Sequence, residues 1–380
     1  DTFLPVVDGV GRVVVSYAEG LSRMGHQVTV VTPIQERGFR AGDPYEVLDF
    51  RGIGVPTARQ YRTGIATMDA HYMDKIKWRN FDVVHAHSPA IAGWEALRIA
   101  NKLKVPLIGT FHSKYRNDIL RYVNSEILAN WGTKYVVNFY EHCDEVWTVS
   151  NHAAETLRGY GYRGDIQVIH NGSAIRRPNP EWAAKARATF HLSDKPILLY
   201  AGQIDKKKNI PGILSAAALV RAKGYDFQLV LAGQGQDTDM LKQRSRELGI
   251  EDLTLFTGHL YDTDLLNGLY MSATMFVFPS LYDTGGLVVS EAAMMGTPSL
   301  VVQNSAPAEF IRDGENGFVC EDTAESICGV MERFLFDTND EERASIALHA
   351  QKTLPESWET ILAQAQGRYE RLCGLERYRH

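Results

Sequence analysis

The sequence has few cysteines, no long apolar run and no excess of basic residues, and each shortage excludes a class of protein. Its four cysteines form neither a CxxC pair nor a cluster with histidines at the spacing of a zinc site. We therefore interpret them as small apolar residues in a reducing compartment, and we expect a cytoplasmic protein. No apolar run reaches the ~20 residues that a membrane-spanning helix needs.

The net charge of -6 at pH 7 disfavours a general nucleic-acid binder, which usually carries a basic domain or stripe. A length of 380 residues is about twice that of a typical domain, so two domains are expected. The opening segment DTFLPVVDGVG is typical of a strand end and a glycine loop, without the apolar strand that should precede them. Because the first strand of a doubly wound sheet is central, we expect further residues before Asp1.

Short β-branched runs alternate with amphipathic segments along the whole chain. They cover residues 27–33, 82–87, 105–112, 145–150, 166–171, 196–202, 227–233, 253–258, 275–280, 298–303 and 317–320. Near-continuous apolar runs separated by helices are typical of parallel strands buried on both faces. The sequence therefore predicts an α/β protein with two Rossmann-like, doubly wound parallel sheets.

A polar segment with three prolines interrupts this pattern after Asn171-Gly172. The interruption predicts a first domain over residues 1–171 and a second domain over 172–356. Residues 357–380 form a predicted last helix, with apolar side chains at helical spacing.

Residues 278–298, FPSLYDTGGLVVSEAAMMGTP, contain the pattern that says most about chemistry. Gly285 and Gly286 lie where a helix should begin, and open backbone N–H groups together with the helix dipole favour an anion there. Asp283 and Glu291 stand eight positions apart, so one carboxylate could meet a sugar and the other a ribose diol. The alternative is a helix capped by Asp283, with Glu291 on a solvated face.

This stretch resembles the acidic-x7-acidic signature of retaining glycosyltransferases of family four, which have the GT-B fold. Ten further segments resemble the family's motifs in the family's order: FLPVVDGVG, GLSRMGHQVTVVTP, FDVVHAHSP, PLIGTFHSKY, EVWTVSNHAAETL, VIHNGSAI, YAGQIDKKKN, LVLAGQG, LTLFTGHL and AEFIRDGENGFV. The terminal SWE…Y helix also follows the family pattern. The resemblance implies an acceptor domain over 1–171, a nucleotide-sugar donor domain over 172–356, and a last helix that packs back towards the N-terminal domain.

Two residues of the expected site depart from the family pattern: one shortens a side chain by a methylene, and the other removes a charge. The family usually has Glu where Asp283 stands, and Arg where Gln203 stands, five residues before Lys208. That Arg–Lys pair neutralises the diphosphate leaving group, so Gln203 removes one cation from the place where charge develops. Lys206 or Lys207 could compensate, or the enzyme could be slow.

The resemblance implies a role for each residue of the site. The residues implied in catalysis are His112, Lys208 and Asp283. The residues implied in donor binding are Gly11, Gln203, Gly258, His259, Leu260, Thr284, Gly285, Gly286, Leu287, Val288 and Glu291. The N–H groups of residues 285–288 would hold the diphosphate together with the lysine, Glu291 the ribose, and the turn 258–260 the base. His112 would reach the donor sugar from the N-terminal domain, and Gly11, in a loop, would let the backbone approach the diphosphate.

Metal-dependent and dinucleotide-dependent functions are disfavoured. The Asp-Thr-Asp triplets at 237–239 and 262–264 each precede an amphipathic helix, where Asp is a favoured N-cap, so capping is preferred over metal binding. His85 and His87 share one face of a strand, but no third ligand follows at a matching spacing, which favours structural roles. Gly9-x-Gly11 and Gly233-x-Gly235 lack the third glycine of a dinucleotide-binding loop. The strand predicted at 27–33 ends in Thr32-Pro33, where an NAD enzyme would have an acidic residue. We expect no metal ion and no cofactor other than the nucleotide sugar as co-substrate.

The sequence thus predicts a retaining, metal-independent hexosyltransferase that uses a nucleotide diphosphate sugar, with UDP-glucose favoured. The acceptor is a lipid, a glycan or a small-molecule hydroxyl. Residues 75–80 and 114–140 mix aromatic, basic and apolar side chains and could form a peripheral contact with the inner membrane face, or equally a solvated helix with a core-facing stripe. The alternatives are a phosphorylase or sugar-nucleotide epimerase of the same fold, and a catalytically weak or inactive nucleotide-sugar-binding subunit.

Overall fold

The computed structural model describes residues 3, 9–34, 42–55, 58–123 and 125–376. Contacts between residues divide the chain into two compact units, one formed by Asp1–Asn171 with Trp358–His380 and the other by Gly172–Ser357. Within the described ranges, every helix is too short or too polar to cross a lipid bilayer.

The first unit contains parallel strands, one antiparallel strand pair and the helices between them. Its strands are β1 (Thr29–Ile34), β2 (Glu46–Arg51), β3 (Ile53–Val55), β4 (Ala58–Thr63), β5 (Val84–Ala86), β6 (Leu107–Phe111), β7 (Glu145–Thr148) and β8 (Ile166–Val168). Its helices up to residue 171 are α1 (Gly9–Arg23), α2 (Ala70–Ile76), α3 (Ile91–Leu103), α4 (Tyr115–Val123), α5 (Glu126–Glu141) and α6 (Asn151–Gly159).

The parallel strands of this unit fall into two groups. β1 pairs with β2, and β5, β6, β7 and β8 form a four-stranded sheet in that order. A cavity of about 840 Å³ is lined by residues 28–32 around β1 and by residues 82–88 around β5. Among the described residues, β1 pairs only with β2 and β5 only with β6. Within the described part of the chain, the cavity thus lies between the two groups of parallel strands.

The second unit is a single six-stranded sheet with helices. Its strands are β9 (Ile197–Ala201), β10 (Gln228–Ala232), β11 (Thr254–Gly258), β12 (Met275–Phe278), β13 (Ser299–Val302) and β14 (Gly317–Cys320). Its helices are α7 (Pro180–Phe190), α8 (Ile210–Ala222), α9 (Thr238–Glu247), α10 (Thr263–Ser272), α11 (Leu287–Met294), α12 (Ala324–Glu332) and α13 (Asp340–Thr353). The strands are parallel and lie in the order β11-β10-β9-β12-β13-β14.

The order of these strands creates a switch point between β9 and β12. From β9 the chain builds β10 and β11 on one side of the sheet, and then it returns to the other side of β9 with β12. Ligands of open parallel sheets bind beyond the carboxyl ends of the strands at such a point. Every residue of β9, β12 and β13 is buried, as expected for a parallel sheet covered on both faces.

The last helix, α14 (Trp358–Glu376), packs in the first unit, as the sequence predicts. Its Ile361 and Leu362 are buried against α1, where a Cβ on Gly20 would lie 2.0 Å from Leu362 Cδ1. Arg368 Nη2 donates to Glu145 Oε2 at 2.9 Å, and both side chains are mostly buried. A larger residue at position 20 would therefore have to displace the end of the Leu362 side chain from its place against α1.

The two Asp-Thr-Asp triplets are only partly explained by capping. Asp262 caps α10, because its carboxylate accepts from the Asp264 N–H at 2.9 Å. Asp237 occupies the N-cap position of α9, but the prediction that its side chain caps the helix is wrong. Its Oδ2 instead accepts from the Lys206 N–H at 2.8 Å, because the loop after β9 passes beside it.

Candidate functional site

The candidate site of the second unit is built from the loops that follow β9 and β12. The first loop contains Gln203 and a turn of 3-10 helix over Lys206–Lys208, and the second runs from residue 279 to 286. Since β9 and β12 are neighbours in the sheet, both loops leave the sheet at the switch point.

An ion pair joins the two loops. Lys208 Nζ lies 2.6 Å from Asp283 Oδ2, and the exposed fractions of the two side chains are 12% and 26%. The same oxygen accepts from Ser280 Oγ at 2.6 Å. Two residues that the sequence predicts for catalysis are therefore in direct contact, and the carboxylate is held in place from both sides.

The ring of Tyr282, next to this ion pair, contacts two lysine ammonium groups. The Lys207 ammonium lies 4.2 Å from the centre of the Tyr282 ring, and the Lys208 ammonium lies 5.4 Å from it. Both distances are within the range of a cation–π interaction. The sequence did not predict Ser280 or Tyr282 as residues of the site, although Tyr282 directly precedes Asp283.

The start of α11 provides open backbone donors. Gly286 is its N-cap with φ of +58°, and a Cβ there would lie 3.2 Å from Pro307 Cγ, so glycine is favoured at this position. Gly286, rather than Asp283, therefore occupies the capping position. The amides of Leu287 and Val288 lie in the first turn, outside the intrahelical hydrogen-bond ladder. With Thr284 and Gly285 leading into this turn, residues 284–288 form one continuous segment.

Glu291 lies one turn further along α11 and is half-buried rather than fully solvated. The Tyr270 hydroxyl donates to Glu291 Oε2 at 3.3 Å. Tyr270 itself is buried on α10 and packs edge-to-face on Phe276 of β12, with ring centres 5.4 Å apart. The carboxylate is therefore held by a rigid part of the core.

The remaining predicted donor-binding residues of this unit lie at the same edge of the sheet. Gln203 is exposed, and its carbonyl accepts from the Tyr200 hydroxyl at 2.9 Å. Gly258 ends β11 with φ of +74°, and its carbonyl accepts from the Gly233 N–H at 3.0 Å. His259 is exposed after it, whereas Leu260 packs against the core.

His112 lies in the first unit, directly after β6, and is buried. Its Nε2 lies 3.0 Å from His87 Nδ1. His85, on the neighbouring β5, contacts the Tyr369 hydroxyl at 2.7 Å and Thr110 Oγ1 at 2.6 Å. The three histidines therefore form one cluster, in which His112 is buried and His85 and His87 are half-buried. Structural roles for His85 and His87 agree with these contacts.

Burial keeps this cluster uncharged. It lowers the pKa of His87 to about 4, and it lowers the pKa of His85 and His112 well below the usual value. The neighbouring histidines lower the pKa of His85 and His112 further, since a second positive charge would repel the first. At neutral pH the His112 side chain is therefore a neutral imidazole.

Acidification should destabilise the protein through this cluster. Unfolded histidines titrate near pH 6.5, so below that value the unfolded state binds more protons than the folded state. The free energy of unfolding is therefore highest above pH 6.5 and falls as the pH is lowered towards 4. Each histidine of the cluster lowers it by up to about 1.4 kcal/mol per pH unit.

Urea unfolding between pH 7 and pH 4 measures how steeply the free energy of unfolding depends on pH. His87→Gln should make this dependence shallower, whereas His26→Gln, at an exposed position, should not; equal slopes in all three proteins would contradict this.

Gly11 departs from the predicted location. It was expected in a loop, but it lies in the first turn of α1, which begins at Gly9. The first turn of a helix tolerates glycine, because the N–H groups there have no intrahelical acceptor. The helix formed by the amphipathic residues that follow can therefore begin at Gly9 and include Gly11.

Comparisons with known proteins agree with this architecture. A family model described as "Glycosyl transferases group 1" matches residues 183–353, and one described as "Glycosyltransferase Family 4" matches residues 7–177. Alpha-monoglucosyldiacylglycerol synthase of Streptococcus pneumoniae is 27% identical over 82% of this chain and 72% of the relative. A GDP-mannose-dependent alpha-mannosyltransferase of Corynebacterium glutamicum is 24% identical over 99% of this chain and 88% of the relative.

Solved structures share the fold. Sucrose-phosphate synthase of Thermosynechococcus elongatus superposes with a TM-score of 0.79 at 20% identity, covering 97% of this chain and 94% of that one. Anabaena HepE, solved with UDP and glucose, gives a TM-score of 0.76 at 16% identity, with 97% and 98% covered. The protein is thus a member of the group 1 glycosyltransferases with the GT-B fold.

Proposed function

We propose that this glycosyltransferase is a retaining enzyme that moves a hexose from a nucleotide diphosphate sugar to an acceptor hydroxyl. The observation that carries the proposal is the position of Lys208 beside the loop that opens α11. An ammonium group and open backbone N–H groups meet there at the switch point of a parallel sheet. Such an arrangement is suited to an anionic leaving group.

The proposed reaction breaks the bond between the anomeric carbon and the diphosphate. Negative charge then develops on the leaving oxygen, where Lys208 and the amides of Leu287 and Val288 stabilise it. The acceptor oxygen attacks from the same face, and its proton passes to the departing diphosphate. No side chain forms a covalent intermediate in this scheme. Asp283 accepts from a sugar hydroxyl, and Glu291 from the ribose diol.

The neutral state of His112 restricts its role. A neutral imidazole donates one hydrogen bond and accepts one, and it carries no charge that would attract a diphosphate. We propose that His112 contacts sugar hydroxyls, with His87 holding one of its two ring nitrogens.

The same charges make a metal ion unnecessary in this proposal. The Lys208 ammonium and the amides of α11 contribute positive electrostatic potential at the place where metal-dependent transferases use a divalent cation. Asp262 and Asp237 each accept a backbone N–H group, which supports a structural role for one carboxylate of each acidic triplet. We propose that no further cofactor takes part.

A panel of sugar nucleotides tests the proposal. Thermal unfolding with UDP-glucose, GDP-mannose and an ADP-sugar should show a higher midpoint with one of them, because a ligand at 100 times its Kd stabilises by about 2.7 kcal/mol. We favour UDP-glucose. Transfer from that donor should persist in EDTA. Loss of transfer that Mn²⁺ restores would contradict metal independence, and binding without transfer to any acceptor would favour an inactive sugar-nucleotide-binding subunit.

An exposed apolar stripe on α5 supports a lipid acceptor. Ile127 and Trp131, one helical turn apart, have exposed fractions of 81% and 70%, and Leu128 and Tyr135 are also exposed. Aromatic and aliphatic side chains on one face of a surface helix favour the interface of a membrane. We therefore propose a peripheral contact with the cytoplasmic membrane face, and the panel above should include acceptors in vesicles beside soluble glycans and small molecules. Transfer to soluble acceptors alone would contradict this contact.

A further inference from the structure

The proposed diphosphate site has a deficit of positive charge if Lys208 is its only cation. Its ammonium group is 2.6 Å from the Asp283 carboxylate, so the pair has no net charge. A nucleoside diphosphate carries at least two negative charges at neutral pH. The amides of α11 contribute only a partial positive charge. A second cation is therefore needed to hold the leaving group firmly.

Gln203 cannot supply this charge, because its side chain is neutral. Lys206 is exposed, and its backbone N–H is engaged by Asp237. Lys207, by contrast, is half-buried, and its ammonium lies 4.2 Å from the centre of the Tyr282 ring. That ring also lies 5.4 Å from the Lys208 ammonium.

We propose that Lys207 is a second diphosphate-binding residue and that the Tyr282 ring positions it. The inference rests on the proposed function and names a further residue of the same site. The ring places the Lys207 and Lys208 ammonium groups beside the same loop, and a bound diphosphate carries enough negative charge to attract both. The ring face attracts each cation and covers its apolar stem, so the ammonium groups stay beside the site before the ligand arrives.

The experiment compares Lys207→Gln with Lys206→Gln, the same change at the exposed neighbour. Affinity is measured by titration calorimetry for the nucleoside diphosphate that the wild type binds, and for the nucleoside alone. Lys207→Gln should weaken diphosphate binding by roughly tenfold or more, the scale of a charge-assisted hydrogen bond. It should leave the nucleoside affinity unchanged, and Lys206→Gln should change neither. Equal diphosphate affinity in the two variants would overturn the inference, and so would an equal loss for diphosphate and nucleoside.

A rescue separates charge from structure. Gln203→Arg, introduced into Lys207→Gln, returns one cation to the same loop and should recover most of the lost diphosphate affinity. No recovery would contradict the claim that the loss is one of charge. Tyr282→Leu should weaken diphosphate binding by less than Lys207→Gln, since the lysine is retained but no longer positioned. An unchanged diphosphate affinity in Tyr282→Leu would show that the ring does not position Lys207.

The failure of this inference differs from the failure of the proposed function. If the wild type binds no nucleoside diphosphate, the proposed function itself is wrong. If it binds one and Lys207→Gln binds it equally well, only the role of Lys207 is wrong.

Discussion

Replacing Lys208 by alanine is expected to lower turnover by about 100-fold or more, because it removes a full charge from the leaving group in the transition state. The substitution also leaves the Asp283 carboxylate, which lies 2.6 Å from the lysine in the intact protein, without this cation. That carboxylate would then repel the diphosphate. Both effects act in the same direction. Steady-state kcat and kcat/KM for the donor measure them.

Lys195 provides a matched control for this substitution. Its ammonium also pairs with an aspartate, Asp226, at 2.8 Å, but the pair lies on an exposed surface. Lys195→Ala should therefore leave turnover unchanged, because exposed ion pairs contribute little. Unaltered turnover in Lys208→Ala would rule out the proposed role of the site. Lys208→Arg, which keeps the charge, should retain more activity than Lys208→Ala.

Replacing Glu291 by alanine is expected to weaken donor binding by about 1.5–3 kcal/mol, the range for hydrogen bonds to a charged group. The expected cause is the loss of the carboxylate that accepts from the ribose diol. Titration with the donor measures the effect. The difference between wild type and Glu291→Ala should shrink for a nucleotide whose ribose lacks both hydroxyls.

Tyr270→Phe is the control that tests the orientation of Glu291. It removes the hydroxyl that donates to Glu291 at 3.3 Å and keeps the carboxylate itself. A long hydrogen bond of this kind should contribute less than the contact with ribose, so the loss should be smaller than in Glu291→Ala. An equal donor affinity in Glu291→Ala and the wild type would exclude this residue from the site.

Apolar runs in the sequence predicted the strands that consist mainly of apolar residues. Each of the eleven runs corresponds to one strand, β1 or one of β5 to β14, with β1 ending one residue beyond its run. β9 is buried along its whole length. β2, β3 and β4 were not predicted. β2 has the sequence EVLDFR, with charged residues at both ends and an aspartate within it, and its partner is β1. A mixed segment of this kind becomes a strand because a neighbour offers an open edge, and that information is not local.

The contacts between residues of the candidate site could not be predicted from the sequence, because they too depend on which strands are neighbours. The resemblance singled out Lys208 and Asp283, but they are 75 residues apart in the chain. Their ion pair depends on β12 lying next to β9, although β10 and β11 come between them in the sequence. The contact of His87 with His112 likewise depends on β5 and β6 being neighbours. Residue types identified the chemistry, whereas strand order determined the partners.

The division of the first unit between two stretches of the chain affects the order in which it can fold. Ile361, Leu362 and Ala365 of α14 share one buried cluster with Ile108 of β6 and Trp147 of β7. Residues 172–357, which form the second unit, come between these stretches in the chain. During synthesis this cluster can therefore close only after the whole second unit has been made, because α14 follows that unit.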